Sequence, residues 1–312
     1  MSQVTVFAPS TVSNVACGFD ILGFALEGAG DRVTATLRDR PGVSITDIQG
    51  DGGLLPRQVH LNTAGLAVQT LLEGVSESRR GIDLEIVKGT PAASGLGSSA
   101  ASSVAAVVAA NELLGLGLSH EQLLPASLEG ERIASGGVLH GDNVAPCLYG
   151  GFVLVRSLDP PDVIQIPVPE GLTCGILRPH VEIKTSESRA LLGGAIPLGT
   201  AVVQWANVAG LIHGLHSCDW SLISRSLHDV VAEPVRGHQV PGFHEIQEAA
   251  LAAGALGCSL SGSGPAIFAL CRGRDAAEVA VAAMQDALVR ATGLASDRFV
   301  SAVGGPGAPV VD

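Results

Sequence analysis

The central loop of this chain has the sequence Thr90-Pro91-Ala92-Ala93-Ser94-Gly95-Leu96-Gly97-Ser98-Ser99-Ala100, and the segments on either side of it indicate the local fold. Residues 82–87, before it, alternate apolar and acidic side chains, which predicts a half-buried strand. Residues 101–114, after it, are rich in Ala and Val and contain no Gly or Pro, which predicts a buried helix. A helix N-terminus offers free backbone N–H groups and the positive end of the helix dipole. We therefore interpret the loop as a cradle for phosphate.

The loop is also open to interpretations other than a phosphate cradle. A capped helix behind a glycine-rich turn would need no ligand. Residues 95–100 match the dinucleotide pattern G-x-G-x-x-A, but that pattern needs its glycines directly after the strand and a second strand soon afterwards. Here five residues separate Gly89 from Gly95, and two predicted helices follow. A Walker loop is excluded, because neither Lys88 nor Lys184 follows a glycine in the pattern GK[ST].

Composition and charge limit the classes of partner. The chain has 312 residues, of which 46% are hydrophobic and 15% charged, so we expect a globular protein long enough for two domains. Its net charge of −12 argues against nucleic acid or an anionic membrane as a partner. A phosphate site must therefore be made positive locally, by helix ends, arginines or a metal ion.

The cysteine pattern indicates a cytoplasmic protein. None of the six cysteines is spaced as C-x-x-C, which predicts free thiols in a reducing compartment. The first residues run directly into a predicted strand, so we expect no signal peptide. The longest apolar segment, residues 100–118, consists mostly of Ala, Ser and Gly and contains Asn111 and Glu112. It predicts a core helix and not a membrane span.

Polar residues in two further regions are candidates for a site. A polar loop is predicted at residues 9–20, where Asn14 and Asp20 fit either ordinary turn chemistry or a substrate loop. A second region follows the helix predicted at residues 119–133 and contains His140-Gly141-Asp142-Asn143. A single histidine is more often structural. Three polar residues so close together, ahead of an apolar strand, favour a site wall.

The central loop closely resembles the nucleotide loop of the GHMP kinases, a family that includes galactokinase and mevalonate kinase. Residues 8–20 are similar to the N-terminal motif of the members that phosphorylate L-homoserine in particular, and Ser261-Gly262-Ser263-Gly264-Pro265 is similar to the third motif of the family. Three further segments, residues 140–146, 184–189 and 229–243, resemble the members that phosphorylate L-homoserine. The resemblance extends from residue 9 to residue 268.

The resemblance implies an α+β protein with two domains. Residues 1–158 would form the N-terminal nucleotide-binding domain, similar to domain 2 of ribosomal protein S5. Residues 159–312 would form a ferredoxin-like C-terminal domain. Short strands with helices to one side, predicted in the second half of the chain, independently suggest an α+β sandwich.

The function implied by the resemblance is transfer of phosphate from ATP to the side-chain hydroxyl of L-homoserine, a step of threonine biosynthesis. ATP and L-homoserine would be the small-molecule partners, with Mg²⁺ as the metal. Another small-molecule kinase of the family, such as a mevalonate kinase, is the nearest alternative. A non-catalytic relative that binds a ligand is the second alternative. The sequence leaves a homodimer open and does not decide the oligomeric state.

The same resemblance implies three groups of site residues. Ser99 and Glu131 would hold Mg²⁺, with Glu129 as the alternative ligand. Asp20 would bind the ammonium of the substrate, and a pair of arginines its carboxylate, because a guanidinium binds carboxylates bidentately. No general base is identified. The residues implied around ATP are Asn62, Pro91, Ser94, Gly95, Leu96, Gly97, Ser98, Ser99 and Gly262; those around homoserine are Asn14, Asp20, His140, Asn143, Arg189 and Arg236.

Overall fold

The computed structural model describes residues 2–77 and 80–311, which form a mixed α+β fold. The strands in these ranges are β1 (Gln3–Ser13), β2 (Leu22–Arg38), β3 (Gly42–Gln49), β4 (Gly81–Val87), β5 (Phe152–Leu158), β6 (Pro161–Ile166), β7 (Leu172–Pro179), β8 (Gly257–Leu260), β9 (Ile267–Arg272) and β10 (Ser296–Ala302). The helices are α1 (Thr63–Gly74), α2 (Ser98–Leu114), α3 (His120–Arg132), α4 (Val144–Tyr149), α5 (Thr185–Ala190), α6 (Leu198–Ser217), α7 (Trp220–Ser226), α8 (Glu233–Arg236), α9 (Phe243–Ala252) and α10 (Arg274–Thr292). The predicted fold class is confirmed.

Strand β2 is the centre of the first sheet, whose order is β3-β4-β2-β5-β6 with β1 paired along β2. Its 17 residues allow it to pair with β4 through residues 32–38 and with β5 through residues 22–24. The polar loop predicted from residue 9 begins later than predicted, because residues 11–13 pair with residues 23–25 and extend β1 to Ser13. This extension brings the end of β1 beside the central loop, where the Thr11 N–H donates to the Leu96 carbonyl at 3.1 Å.

The Ala-rich helix α2 packs into the core of the first half. All of its side chains between Ala100 and Asn111 are buried, against β1, β2, α1 and α3. Small side chains allow this close approach of helix and sheet. Gly115, at φ 62°, ends the helix in the left-handed conformation that glycine adopts without strain. The predicted buried helix after the loop is confirmed.

The second sheet, with the order β10-β7-β9-β8, is antiparallel and has helices α9 and α10 on one face. Leu177 and Ile246 belong to the hydrophobic cluster on that side. On the other face, Phe268 packs edge-on against Phe24 of the first sheet, with ring centroids 6.5 Å apart, and Phe24 stacks on Phe152 at 5.9 Å. One hydrophobic cluster therefore joins the two sheets.

The chain passes from the first sheet to the second between Ile166 and Leu172. The boundary expected after residue 158 falls in the tight turn of the β5–β6 hairpin, both strands of which pair in the first sheet. As a division into two domains, that boundary stays a prediction.

Within the part of the chain that the structure describes, no helix combines the length and the apolar character that crossing a membrane requires.

Candidate active site

A cavity of about 430 Å³ lies between the two halves of the molecule, and the central loop forms one wall of it. The first half contributes the loops after β1 and β4, the start of α2, the end of α3, and His140, Asp142 and Asn143. The second half contributes Lys184, Thr185, Arg189, Arg236 and residues 262–263. The three regions singled out in the sequence therefore meet at one place.

The central loop leads directly into the N-terminus of α2, and two of its glycines have left-handed backbone conformations. Gly97 stands immediately before the helix at φ 65°, and Gly95 has φ 78°. A Cβ on Gly95 would lie 2.8 Å from the carbonyl oxygens of Ser261 and Gly264, so the two loops are in contact. Ser261 Oγ also donates a hydrogen bond to the Gly95 carbonyl at 2.6 Å. Residues 261–264 thus pack on the central loop and close that side of the cavity.

The two serines that begin α2 face different partners. Ser98 Oγ donates to the Thr90 carbonyl at 2.7 Å, within the loop itself. Ser99 Oγ donates to Glu131 Oε1 at 2.9 Å, across the cavity wall. Ser98 therefore shapes the loop, whereas Ser99 and Glu131 together present oxygen atoms at the start of the helix.

The carboxylate of Glu131 has the properties of a cation ligand. Burial raises its pKa to about 7, against the opposing effects of the Ser99 hydrogen bond and the charge of His140. Its Oε2 atom is buried and has no hydrogen-bond partner in the described part of the chain. Glu129, in contrast, pairs with Arg132 at a partly exposed position and does not line the cavity. Hard oxygen donors suit Mg²⁺, so the oxygens of Ser99 and Glu131 fit that ion.

Asn14 connects three segments of the cavity wall by hydrogen bonds. Its side-chain amide donates to the Gly262 carbonyl at 3.1 Å, and its side-chain oxygen accepts the N–H of Asp20 at 3.1 Å. Its own N–H donates to Asp142 Oδ2 at 3.3 Å. Asn14 and Asp20 both have left-handed backbones, with φ of 66° and 61°. Such conformations persist only where surrounding contacts hold them, and they concentrate at functional sites.

His140 and Asp142 form a buried polar pair in the same wall. His140 Nδ1 lies 3.4 Å from Asp142 Oδ1, and neither atom has a hydrogen-bond partner among the described residues. Burial opposes protonation of His140, but Asp142 and the nearby carboxylates of Asp20 and Glu131 outweigh it and raise the pKa of the imidazole. Asn143 is held by Thr11, whose hydroxyl donates to Asn143 Oδ1 at 2.8 Å.

Two arginines complete the cavity on the side of the second half. Arg189 forms a bidentate ion pair with Asp20, which raises the pKa of the guanidinium. Arg236 is buried and donates from Nη1 to the Gly262 carbonyl at 3.1 Å, while its Nε has no partner in the described chain. The two guanidinium carbons lie 5.5 Å and 5.2 Å from the centre of the same Phe19 ring. An aromatic face attracts cations, so one ring holds two like charges close together.

The cavity wall includes nearly all of the residues expected at the site. The exceptions are Pro91, which is exposed outside the cavity, and Leu96, whose side chain lies in the core. Asn62 lines the cavity and also caps α1, accepting the N–H groups of Ala64 and Gly65. The other expected residues on the wall are Asn14, Asp20, Ser94, Gly95, Gly97, Ser98, Ser99, Glu131, His140, Asn143, Arg189, Arg236 and Gly262.

Several lining residues were not among those expected. Asp142 and Thr185 lie in the segments that carry the resemblance, so their polar side chains could have been predicted to line the site. Leu55, Leu61 and Ile133 form an apolar part of the wall that was not predicted. Apolar residues in a predicted loop or at a helix end do not indicate which surface they face.

Comparisons with known proteins agree with this geometry. The family model described as GHMP kinases N terminal domain matches residues 62–151, and that described as GHMP kinases C terminal matches residues 211–290. A homoserine kinase of Chlorobium phaeobacteroides is 49% identical over 321 aligned positions, covering 100% of both chains. A homoserine kinase of Xanthomonas campestris pv. campestris is 41% identical, covering 99% of this chain and 94% of the relative.

Solved structures give the same result. The crystal structure of a homoserine kinase from Cytophaga hutchinsonii is similar with a TM-score of 0.95 and 50% identity, over 100% of this chain and 98% of that one. A mevalonate kinase of L. major, at 18% identity and a TM-score of 0.69 over 96% of both chains, shares the fold alone. The chain belongs to the homoserine kinases of the GHMP kinase family.

Proposed function

We propose that this protein transfers the γ-phosphoryl group of ATP to the side-chain hydroxyl of L-homoserine, giving O-phospho-L-homoserine and ADP in threonine biosynthesis. The observation that carries the proposal is the meeting of Asp20, Arg189 and Arg236 in one cavity with the N-terminus of α2. Its relatives support the same activity, since homoserine kinases match the whole chain.

The phosphates of ATP belong at the loop of residues 94–99 in this proposal. There the N–H groups at the start of α2 and the helix dipole offset part of the charge. The apolar residues of the cavity, among them Leu55, Leu61 and Ile133, suit the flat face of a base. Asn62 stands on the same side and would contact the base or ribose.

Ser99 and Glu131 would hold Mg²⁺ in the complex. The buried, unpartnered Oε2 of Glu131 supports this assignment, since a cation would supply the missing partner. When bound, the ion would neutralise charge on the phosphates. The hydrogen bond between Ser99 and Glu131 keeps both oxygen donors at the start of the helix.

The amino-acid substrate fits the opposite end of the cavity. Its ammonium would meet Asp20, and its carboxylate would meet Arg189 and Arg236, whose guanidinium groups bind carboxylates in a fixed geometry. Asn14, His140 and Asn143 would line the remaining sides. A zwitterion needs this set of one anion and two cations, whereas mevalonate lacks the ammonium and galactose lacks both charges.

In the transfer step, the homoserine hydroxyl oxygen forms a bond to the γ-phosphorus and the bond from that phosphorus to the β–γ bridging oxygen breaks. Positioning and charge neutralisation supply most of the catalysis, because phosphoryl transfer has a loose transition state. The hydroxyl proton passes to a phosphoryl oxygen or to water, so no strong base is required. Asp20, which pairs with Arg189, would bind the substrate ammonium and is not assigned as a base.

We also propose a cytoplasmic location, supported by six free cysteines, five of which are buried. The direct test of the function is release of ADP from MgATP by the purified chain, with and without L-homoserine. We expect release only with homoserine; the same low release with and without homoserine would favour a ligand-binding role.

A further inference from the structure

A buried ion pair lies directly behind the phosphate loop, and the chemistry described above does not use it. Asp31 belongs to β2 and Lys88 follows β4; their side chains are 0% and 3% exposed and in contact. The Lys88 ammonium also donates to the Ser98 carbonyl and to Ser102 Oγ, both at 2.8 Å. An ammonium has three N–H donors, and all three are therefore engaged by the protein.

The same carboxylate holds the other end of the loop. Asp31 Oδ1 accepts the backbone N–H groups of Gly89 and Thr90, both at 3.1 Å. Its Oδ2 accepts the Ser102 hydroxyl at 2.7 Å. Gly89 and Thr90 lie where the chain enters the loop, and Ser102 lies in the second turn of α2, after the chain has left it. One ion pair thus ties the entry of the loop to the helix that follows.

This arrangement differs from that of a lysine that binds phosphate. Lys88 borders the cavity, yet its donors point to Asp31, Ser98 and Ser102 and its charge is balanced by Asp31. Replacing a buried ion pair by neutral groups of similar volume is often harmless to stability. We therefore expect the ion pair to affect the position of the loop more than the stability of the fold.

We propose that Asp31 and Lys88 are a positioning pair, which fixes both ends of the phosphate loop so that the N-terminus of α2 is presented to the nucleotide. The inference rests on the proposed function, since it takes this loop as the phosphate site. It adds two residues to the machinery that contact neither substrate. A displacement of the order of 1 Å in such a loop costs up to about 100-fold in rate.

The test compares four variants of the full chain: Asp31→Asn, Lys88→Met, the double variant Asp31→Asn/Lys88→Met, and Ser102→Ala. The asparagine retains an oxygen for the N–H groups of Gly89 and Thr90, and the double variant leaves no unpaired charge. MgADP affinity is measured by calorimetry, independently of any acceptor, together with the melting temperature and the KM values for ATP and homoserine. The control is Arg38→Met/Asp83→Asn, because that ion pair joins the same two strands at a partly exposed position.

We expect the double variant to melt close to the control yet to bind MgADP about tenfold or more weakly, with the homoserine KM unchanged. Asp31→Asn should also weaken binding, because it releases Lys88 from its position. Ser102→Ala removes the hydroxyl that bonds to both Asp31 and Lys88 but removes no charge, and it should weaken MgADP binding by a few-fold. This variant gives a result even if the charge variants do not fold.

Two results would overturn the inference. A stable double variant with wild-type MgADP affinity would reduce the pair to a stabilising contact. Full affinity in Asp31→Asn, with equal losses in Lys88→Met and the double variant, would make Lys88 a direct phosphate ligand. Failure of the wild type itself to bind MgADP would remove the proposed function along with this inference, so the two failures are distinguishable.

Discussion

Asp20 and Arg189 are 169 residues apart in the chain and form a bidentate ion pair inside the cavity. Asp20 comes from the loop after β1 and Arg189 from α5, so the pair joins the two halves of the molecule. A zwitterionic amino acid carries the same two charges. Its ammonium can replace Arg189 at Asp20, and its carboxylate can replace Asp20 at Arg189, without leaving either protein charge unpaired.

The first prediction concerns Asp20. Asp20→Asn removes the negative charge that the ammonium requires, and one lost charge-assisted hydrogen bond costs roughly 1.5–3 kcal/mol, or about one to two decades. We therefore expect kcat/KM for homoserine to fall by that factor while the KM for ATP stays nearly constant. Asp297→Asn is the matched control, since it breaks a surface Asp–Arg pair outside the cavity. Equal losses for ATP and homoserine would contradict a specific role for Asp20.

The second prediction concerns Arg236. Lysine retains a cation but loses the fork that binds a carboxylate bidentately, and it also loses much of the contact with Phe19. Burial already lowers the pKa of Arg236, and a lysine there would give up its proton more easily. Arg236→Lys should raise the KM for homoserine by about tenfold or more. Arg32→Lys is the control, because Arg32 also lies over a phenylalanine ring, that of Phe7, but away from the cavity.

The third prediction separates Glu131 from Glu129. Glu131→Gln retains the shape of the side chain but replaces a carboxylate with a neutral amide, which is a poor Mg²⁺ ligand. Loss of several kcal/mol of charge stabilisation corresponds to about two decades or more in turnover. Glu129→Gln should retain activity, because Glu129 pairs with Arg132 on the surface. Turnover is measured over a range of Mg²⁺ concentrations, and full activity in Glu131→Gln with loss in Glu129→Gln would reverse the assignment.

The fourth prediction is a pH dependence of stability without Mg²⁺. The pKa of Glu131 is raised from 4.5 to about 7 in the fold, so the folded protein retains a proton that the unfolded chain releases. This contribution to stability is complete below the lower value and is lost as the pH rises through the higher one. The melting temperature of the wild type should therefore fall between pH 4.5 and 7 relative to that of Glu131→Gln. Parallel curves for the two proteins would show that Glu131 is already ionised in the fold.

Local patterns were enough to predict part of this structure. The alternation of residues 82–87 predicts β4, and the Ala-rich run predicts α2, because strand and helix periods leave a direct trace in the sequence. The cap that Asn62 forms on α1 agrees with the preference of helix N-termini for asparagine. The grouping of Asn14, His140 and Arg189 in one cavity came from the resemblance to the GHMP kinases, since these residues lie far apart in the chain.

Long-range pairing limited the rest of the prediction. Strand β1 continues to Ser13 although its last residues are polar and typical of a loop. Pairing with β2 provides the backbone hydrogen bonds that extend the strand. The ion pair between Asp20 and Arg189 was not predicted, because nothing in either segment indicates that the two side chains meet. The role of Phe19 between two guanidinium groups depends on side-chain placement that no single stretch of sequence encodes.

The most direct test of the account is a comparison of kcat/KM for L-homoserine, L-serine, mevalonate and galactose, with MgATP and the wild-type chain. The charges of Asp20, Arg189 and Arg236 predict that homoserine is preferred over mevalonate and galactose by at least about one to two decades. Serine has the same charges but is one methylene shorter, so its hydroxyl should reach the γ-phosphate less well and react more slowly. Phosphorylation of mevalonate with no phosphorylation of homoserine would contradict the assignment of homoserine as the substrate, and only the GHMP kinase fold would remain supported.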